Sequence, residues 1–355
     1  MKIISSFRKD TQSEKPKPGS YEWWYFDARS IEGYTVVIIF YDGNPFSRRY
    51  IKSMELNEGH TASDYPAISI SVYKMGVPLF YSFEEFNAED SFYSGKHPQG
   101  KAGLNSFKGV LKDNRITYEI TLNQKVENGD HLKGQLSFTS GLFEFGEKTE
   151  ALSGNGEAHT WNLVMPACDV NGLLEISGFK SFSIHFEGIG YHDHNYGNEP
   201  MKESFDEWYW GRFHLKDSTL IYYLMNQQNR WNKKGWLIDN NGTVTQFDNE
   251  VLMSDSAFNP FGLRSARKIE FRGSQMNAVL QKDKIIDNGP FYQRFEGRLL
   301  LEKDGELDEA RGISEYIRPS RIYNKVFWPL VNMRIKYPGI SHWVQKSPRL
   351  FRWTW

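Results

Sequence analysis

"YEWWYFDARSIEGYTVVIIFY", residues 21–41, decides the class of fold. Its aromatic and β-branched runs suit pleated strands, and a turn lies between them. The stretch has an echo further on. Glu22-Trp23-Trp24-Tyr25 aligns with Glu207-Trp208-Tyr209-Trp210, and each is followed by a turn and an apolar strand, "EGYTVVIIFY" or "DSTLIYYLMN". The sequence therefore reads as two related β-rich halves.

Working outward, the same habit recurs. Residues 67–83 read as a hairpin around Met75-Gly76, and residues 107–122 turn at Asp113-Asn114. Residues 159–178 are expected to turn at Asn171-Gly172, because Asn-Gly supplies the positive φ angles of a tight hairpin. Asn241-Gly242 and Asp304-Gly305 mark two more turns. Helical periodicity is scarce before the carboxyl-terminal segment, so the class is all-β, in sandwiches or barrels. The expected organisation is a flexible leader over 1–20, one domain over 21–200, a second over 201–315, and a strap over 316–355.

Composition narrows the function. The net charge of −1 argues against a nucleic-acid partner. Cys168 is the single cysteine, so no intrachain disulfide is available. The amino-terminal residues turn polar after Ile4 and do not resemble a signal peptide. No window approaches the ~18 apolar residues of a membrane span. The expected location is cytoplasmic. The strap is the exception in charge: from Glu315 onward it carries eight Lys/Arg against one acid, interleaved with Trp and Phe. It is expected to pack over the barrels by its aromatics, and its composition also suits peripheral contact with a membrane surface. With 11 Trp, 19 Tyr and 25 Phe, the chain can build β cores and still line an apolar pocket.

The chemistry concentrates in "GIGYHDHNYG", residues 188–197. On a strand, i and i+2 share a face. Tyr191, Asp193 and Asn195 then look one way, and His192, His194 and Tyr196 the other. His192 and His194 have the spacing of a metal half-site that would need Glu199 or His185 to complete it. On the other face, an aspartate desolvated inside an aromatic barrel would keep its proton. His159 and Trp161 form a second i, i+2 pair, one a base and the other a π face for positive charge. Trp208, Trp210 and Arg212 form a third set in the second half. There is no G-x-S-x-G elbow, no P-loop, no G-x-G-x-x-G opening a helix and no C-x-x-C.

Taken in order, "YEWWYFDA", "HTW", "GIGYHDHNYG", "EWYWGRF" and "GISEYIRP" resemble the hydroxyneurosporene synthase, or carotenoid 1,2-hydratase, family and its lipocalin-like relatives. The resemblance implies two lipocalin-like β-barrels packed together around an apolar ligand cavity. It also implies activity residues at His159, Trp161, Tyr191 and Asp193. Tyr196 stands where the family commonly has tryptophan. The expected enzyme is a hydratase, or a terpenoid cyclase, that protonates an alkene of an isoprenoid or polyene substrate without metal or organic cofactor. In this scheme Asp193, His159 and Tyr191 are catalytic, while Trp161, Trp208, Trp210, Arg212, Asn195 and Tyr25 bind substrate. A Diels–Alderase-type pericyclase and a non-enzymatic carrier of lipophilic ligands are the alternatives. The partner is a lipophilic small molecule, and the chain is expected to act as a monomer or homodimer.

Overall fold

The computed structural model describes residues 1–144, 148–149, 159–247 and 250–355. The fold is all-β, and the chain divides into two compact units, Met1–Ser204 with Lys325–Trp355, and Phe205–Asn324.

In the first unit the strands are β1 (Lys2–Ile4), β2 (Tyr21–Ser30), β3 (Tyr34–Tyr41), β4 (Ala67–Lys74), β5 (Val77–Glu85), β6 (Ser91–Tyr93), β7 (Gln99–Ala102), β8 (Asn105–Lys112), β9 (Arg115–Lys125), β10 (His131–Gly141), β11 (Lys148–Thr149), β12 (His159–Ser177) and β13 (Phe182–Gly197). They form one curled sheet in the order β5-β4-β3-β2-β13-β12-β10-β9-β8-β7-β6. Its centre is the long β12–β13 hairpin, flanked by β2 and β10. Strict alternation along β2 turns Trp24, Phe26 and Ala28 into the apolar core, where Ile38, Phe40, Ile70, Phe107 and Phe138 meet them. Tyr25 is absent from that cluster and lies on the reverse face. Sorting of side chains by parity is what the aromatic repeat at 21–26 encodes.

Two expectations need correction here. Asn171-Gly172 is not a turn. β12 runs through it, with Asn171 opposite Ser137 on one side and Glu187 on the other. Gly172 is there for space, since a Cβ would strike the Gln135 carbonyl and the Leu136 backbone, and Gly134 meets Leu173 and Leu174 in the same way. Two ladders of hydrogen bonds outweigh a local turn preference. The real reversal lies at residues 178–181.

Nor are the first twenty residues a flexible leader. β1 pairs in parallel with β12, Lys2 opposite Thr160 and Ile4 opposite Asn162. The Asn162 side chain then closes both Ser6 backbone groups, accepting from the amide at 2.9 Å and donating to the carbonyl at 3.0 Å. Ile3, Ile4 and Asp10 are buried. Composition missed this because the contacts are almost entirely long-range.

The strap residues from Lys325 on belong to the first unit. β25 (Ile335–Lys336; the intervening strands follow below) pairs in parallel with β5, and Lys336 reaches Glu84 and Glu127, each at 2.8 Å. Its short helices bury Val331, Val344 and Phe351.

The second unit is a nine-stranded antiparallel sheet built from β14 (Glu207–His214), β15 (Ser218–Gln227), β16 (Arg230–Asp239), β17 (Val244–Gln246), β18 (Val251–Ser254), β21 (Lys268–Arg272), β22 (Met276–Asn288), β23 (Tyr292–Lys303) and β24 (Glu306–Ile317), with a two-stranded ladder of β19 (Ala257–Phe258) and β20 (Arg264–Ser265). Tyr209 and Phe213 face its core. Tyr209 occupies the place that Trp24 holds in the sequence echo, so both motifs turn the same position inward. The reversals at Met75-Gly76, Asp113-Asn114 and Asp304-Gly305 all have positive φ at both residues. These are the tight hairpins that their composition predicts.

Candidate active site

β13 carries two polar systems on opposite faces. Tyr191, Asp193 and Asn195 lie on the face away from the apolar core. Asp193 is 4% exposed, and three donors hold its carboxyl group. Trp161 Nε1 donates to Oδ2 at 2.8 Å and the Tyr191 hydroxyl donates to the same oxygen at 2.6 Å. Asn195 Nδ2 donates to Oδ1 at 2.9 Å. Trp161 reaches the carboxyl because β12 and β13 pair with Trp161 opposite Asn195 and Leu163 opposite Asp193. Tyr25 comes from the other neighbour, directly opposite Asp193 on β2. Its ring meets that of Tyr191 edge-on, with centroids 6.1 Å apart.

His159 opens β12 on the same face and is buried. Its Nδ1 lies 3.0 Å from the Tyr21 hydroxyl. Trp23 completes a cluster of rings, 5.4 Å from Tyr21 and 6.1 Å from His159. Burial pushes the imidazole down to about 3, with the positive amino terminus adding to the effect and the Asn195 side chain opposing it. Burial therefore favours the neutral imidazole at His159. The site also does not lie inside the barrel, as the aromatic composition suggested. The interior holds the hydrocarbon core, and the Asp193 face is the reverse of the sheet.

His192 and His194 face that interior, and both rings are buried. His192 Nδ1 lies 2.9 Å from the Tyr25 carbonyl and Nε2 lies 3.0 Å from Asp10 Oδ2. His194 Nε2 lies 2.7 Å from Glu22, with Nδ1 3.3 Å from Asp10. The rings stack on Phe26 and Trp24, respectively. Tyr118 donates to Asp10 as well. Lys15 pairs with Glu22 and with Asp42. Although burial disfavours its charge, the two carboxylates outweigh that and hold the Lys15 ammonium above the usual lysine range. The metal half-site reading is not assembled, since His185 is exposed and Glu199 accepts from Ser204.

Thus Asp193, Tyr191, Asn195, Trp161, His159 and Tyr25 come together on one sheet face. Trp208, Trp210 and Arg212 belong to the second unit, buried on the face of β14 opposite Tyr209 and Phe213. Sequence reasoning missed Tyr21, Trp23 and Asp27. All three are odd-numbered positions of β2, and Asp27 lies buried and directly opposite Tyr191. The parity of "YEWWYFD" was the available signal.

The sequence profile of the family described as carotenoid hydratase CrtC matches residues 111–345. The chain belongs to the carotenoid hydratase CrtC family. As a CrtC-family member it is an enzyme of the hydratase, or lyase, class. It is 31% identical to hydroxyneurosporene dehydrogenase of Chlorobaculum tepidum over 87% of this chain and 85% of the relative. It is 29% identical to acyclic carotenoid 1,2-hydratase of Rhodobacter capsulatus over 53% of this chain and 62% of that protein. Among solved structures, an AttH-type protein of Nitrosomonas europaea superposes with a TM-score of 0.61 at 15% identity, covering 88% of this CrtC-family chain and 96% of the other. That likeness supports the lipocalin-like, all-β fold.

Proposed function

We propose that this chain hydrates a polyene by acid–base chemistry, with Asp193 as the acid that protonates an electron-rich alkene. The observation that carries the reading is the hydrogen-bonding of the Asp193 carboxyl. Oδ2 accepts from both Trp161 and Tyr191, which fills its two lone pairs. Oδ1 accepts from Asn195 on the other edge of the carboxyl group. In this reading Asp193 reacts as the neutral acid from a site almost closed to solvent. Once the proton moves to carbon, the same three donors stabilise the carboxylate left behind.

Protonation at the less substituted alkene carbon leaves a tertiary cation. The indole of Trp161, fixed in place by its N–H bond to the acid, supplies a π face to that charge. Water then forms the C–O bond, and its surplus proton must leave. His159 is a weak base, yet the protonated alcohol is a far stronger acid than an imidazolium, so a neutral imidazole suffices to accept it. Returning that proton to Asp193 closes the cycle. The net change is one water added, with no change in oxidation state. Tyr21 orients the imidazole, and Tyr25 and Tyr191 flank the acid.

The test is Asp193→Asn, which keeps the shape and removes the acid. Incubated with an acyclic carotenoid and read by mass spectrometry, wild-type protein is expected to give a product heavier by one water. The variant is expected to lose roughly 10²–10⁴-fold in rate. Unchanged turnover in the variant would reject Asp193 as the acid, and an isomer of unchanged mass from wild type would replace hydration by cyclisation.

A further inference from the structure

The strap divides its aromatic residues between two sides. Val344 and Phe351 are buried, whereas Trp343, Leu350 and Trp353 are 65%, 42% and 87% exposed. These, with Lys346 and Arg349, recur every three to four residues along two short helical turns, Trp343–Lys346 and Pro348–Arg352. Among the described residues neither Lys346 nor Arg349 has an acidic partner. Arg352 extends the patch beyond the strap. Its guanidinium pairs with Asp130 and lies 4.7 Å over the ring of Phe179, while Asp130 also accepts from the Phe179 amide at 3.0 Å. Phe179 is 53% exposed, and Lys180 beside it is exposed as well. The tip of the β12–β13 hairpin and the end of the strap thus form one surface, bulky and apolar with cations between.

We propose that this surface docks the protein on an anionic phospholipid bilayer. Exposed tryptophans are at home at the level of lipid head groups, where the ring is half apolar and its N–H stays wet. Lys180, Lys346 and Arg349 supply charge complementary to anionic head groups. No helix among the described residues is long and apolar enough to cross a membrane, so the contact is one of surface insertion. The position suits a lipophilic substrate. The buried side of the strap packs Phe351 and Trp355 against Tyr81 on β5, with centroids 6.1 and 6.2 Å away. Tyr81, Ser71, Val37, Asp27 and Tyr191 are successive cross-strand neighbours, so Tyr81 shares the Asp193 face. Four strand spacings, about 19 Å, separate it from Tyr191.

The test is flotation of the full chain with vesicles of phosphatidylcholine alone or mixed with phosphatidylglycerol. Wild type is expected to float with the mixed vesicles at low salt and to dissociate as salt is raised. A K346A/R349A variant should bind roughly thirtyfold more weakly, and W343S/W353S should lose binding at every salt concentration. Both variants alter exposed positions, and their circular dichroism should match wild type. Wild type that stays at the bottom of the gradient, equal binding to both vesicle types, or variants that float like wild type would each overturn the proposal. So would self-association through this face without vesicle binding. Flotation uses no substrate, so its outcome is separate from the hydratase assignment.

Discussion

Asp193 and His194 are consecutive on one strand yet serve opposite sides of the sheet. Asp193 takes three hydrogen bonds on the reverse face, and His194 lies between Asp10 and Glu22 in the interior. The peptide that joins them couples a site to its foundation. Loss of the interior pairs would leave Asp193 with its partners but on a loosened strand.

Trp161→Phe keeps an aromatic face and removes one donor from Asp193 Oδ2, and Tyr191→Phe removes the other. Each should lower kcat about 10–100-fold, with KM changing less, because the lost bond matters most when the carboxylate forms. Steady-state kinetics on the two variants checks this. A change confined to KM would mean that these side chains only bind.

Asp10→Ala should be costly despite its position early in the chain. It takes one partner each from His192 and Tyr118 and the nearby carboxylate from His194, and breaking a buried ionic cluster of this kind costs about 3–5 kcal/mol. Denaturant unfolding would show the loss, and an effect below about 1 kcal/mol would place the residue outside the core network.

His159 gives stability a pH dependence whose sign is fixed. Its folded pKa, about 3, lies below the unfolded value near 6.5. Between these values the unfolded chain binds the extra proton, so stability should fall as pH drops below about 6.5, by up to about 1.4 kcal/mol per unit. His159→Gln should flatten that limb in chemical denaturation measured from pH 7 to 4.

Lys282 is a buried amine in the second unit, lying 4.3 Å from the Tyr209 ring centre and 4.6 Å from that of Phe295. Burial lowers its pKa well below the usual lysine range. Lys282→Met keeps the length and removes the cost of desolvating the amine, so the midpoint of thermal unfolding should rise. Wild type should also gain stability as pH rises toward 10.5, since the unfolded lysine holds its proton longer. The variant should lack that gain.

Much of this was legible in the sequence for one reason: parity. Where a strand is regular, alternate residues separate cleanly, and Tyr191, Asp193 and Asn195 could be grouped from their spacing alone. The rule fails where β12 bulges between Leu163 and Cys168. There Val164, Met165 and Cys168 all reach the core, which no alternation predicts. Asn171-Gly172 misled because its glycine accommodates a close backbone approach rather than a turn. The network of Asp10, Lys15, Glu22 and His194 was hidden for a different reason. Its members come from separate segments, and no local pattern marks a residue that will be buried by a partner more than a hundred positions away.

The parallel pairing of β1 with β12 sets an order of events during synthesis. Lys2 cannot meet Thr160, nor Asp10 meet His192, until those partners have been made. The segment carrying β1 and Asp10 must therefore wait among the last to be secured in this unit. Assembly should show a late phase, slow in the manner of folds dominated by distant contacts, and the chemistry on β13 should become competent only when that phase ends.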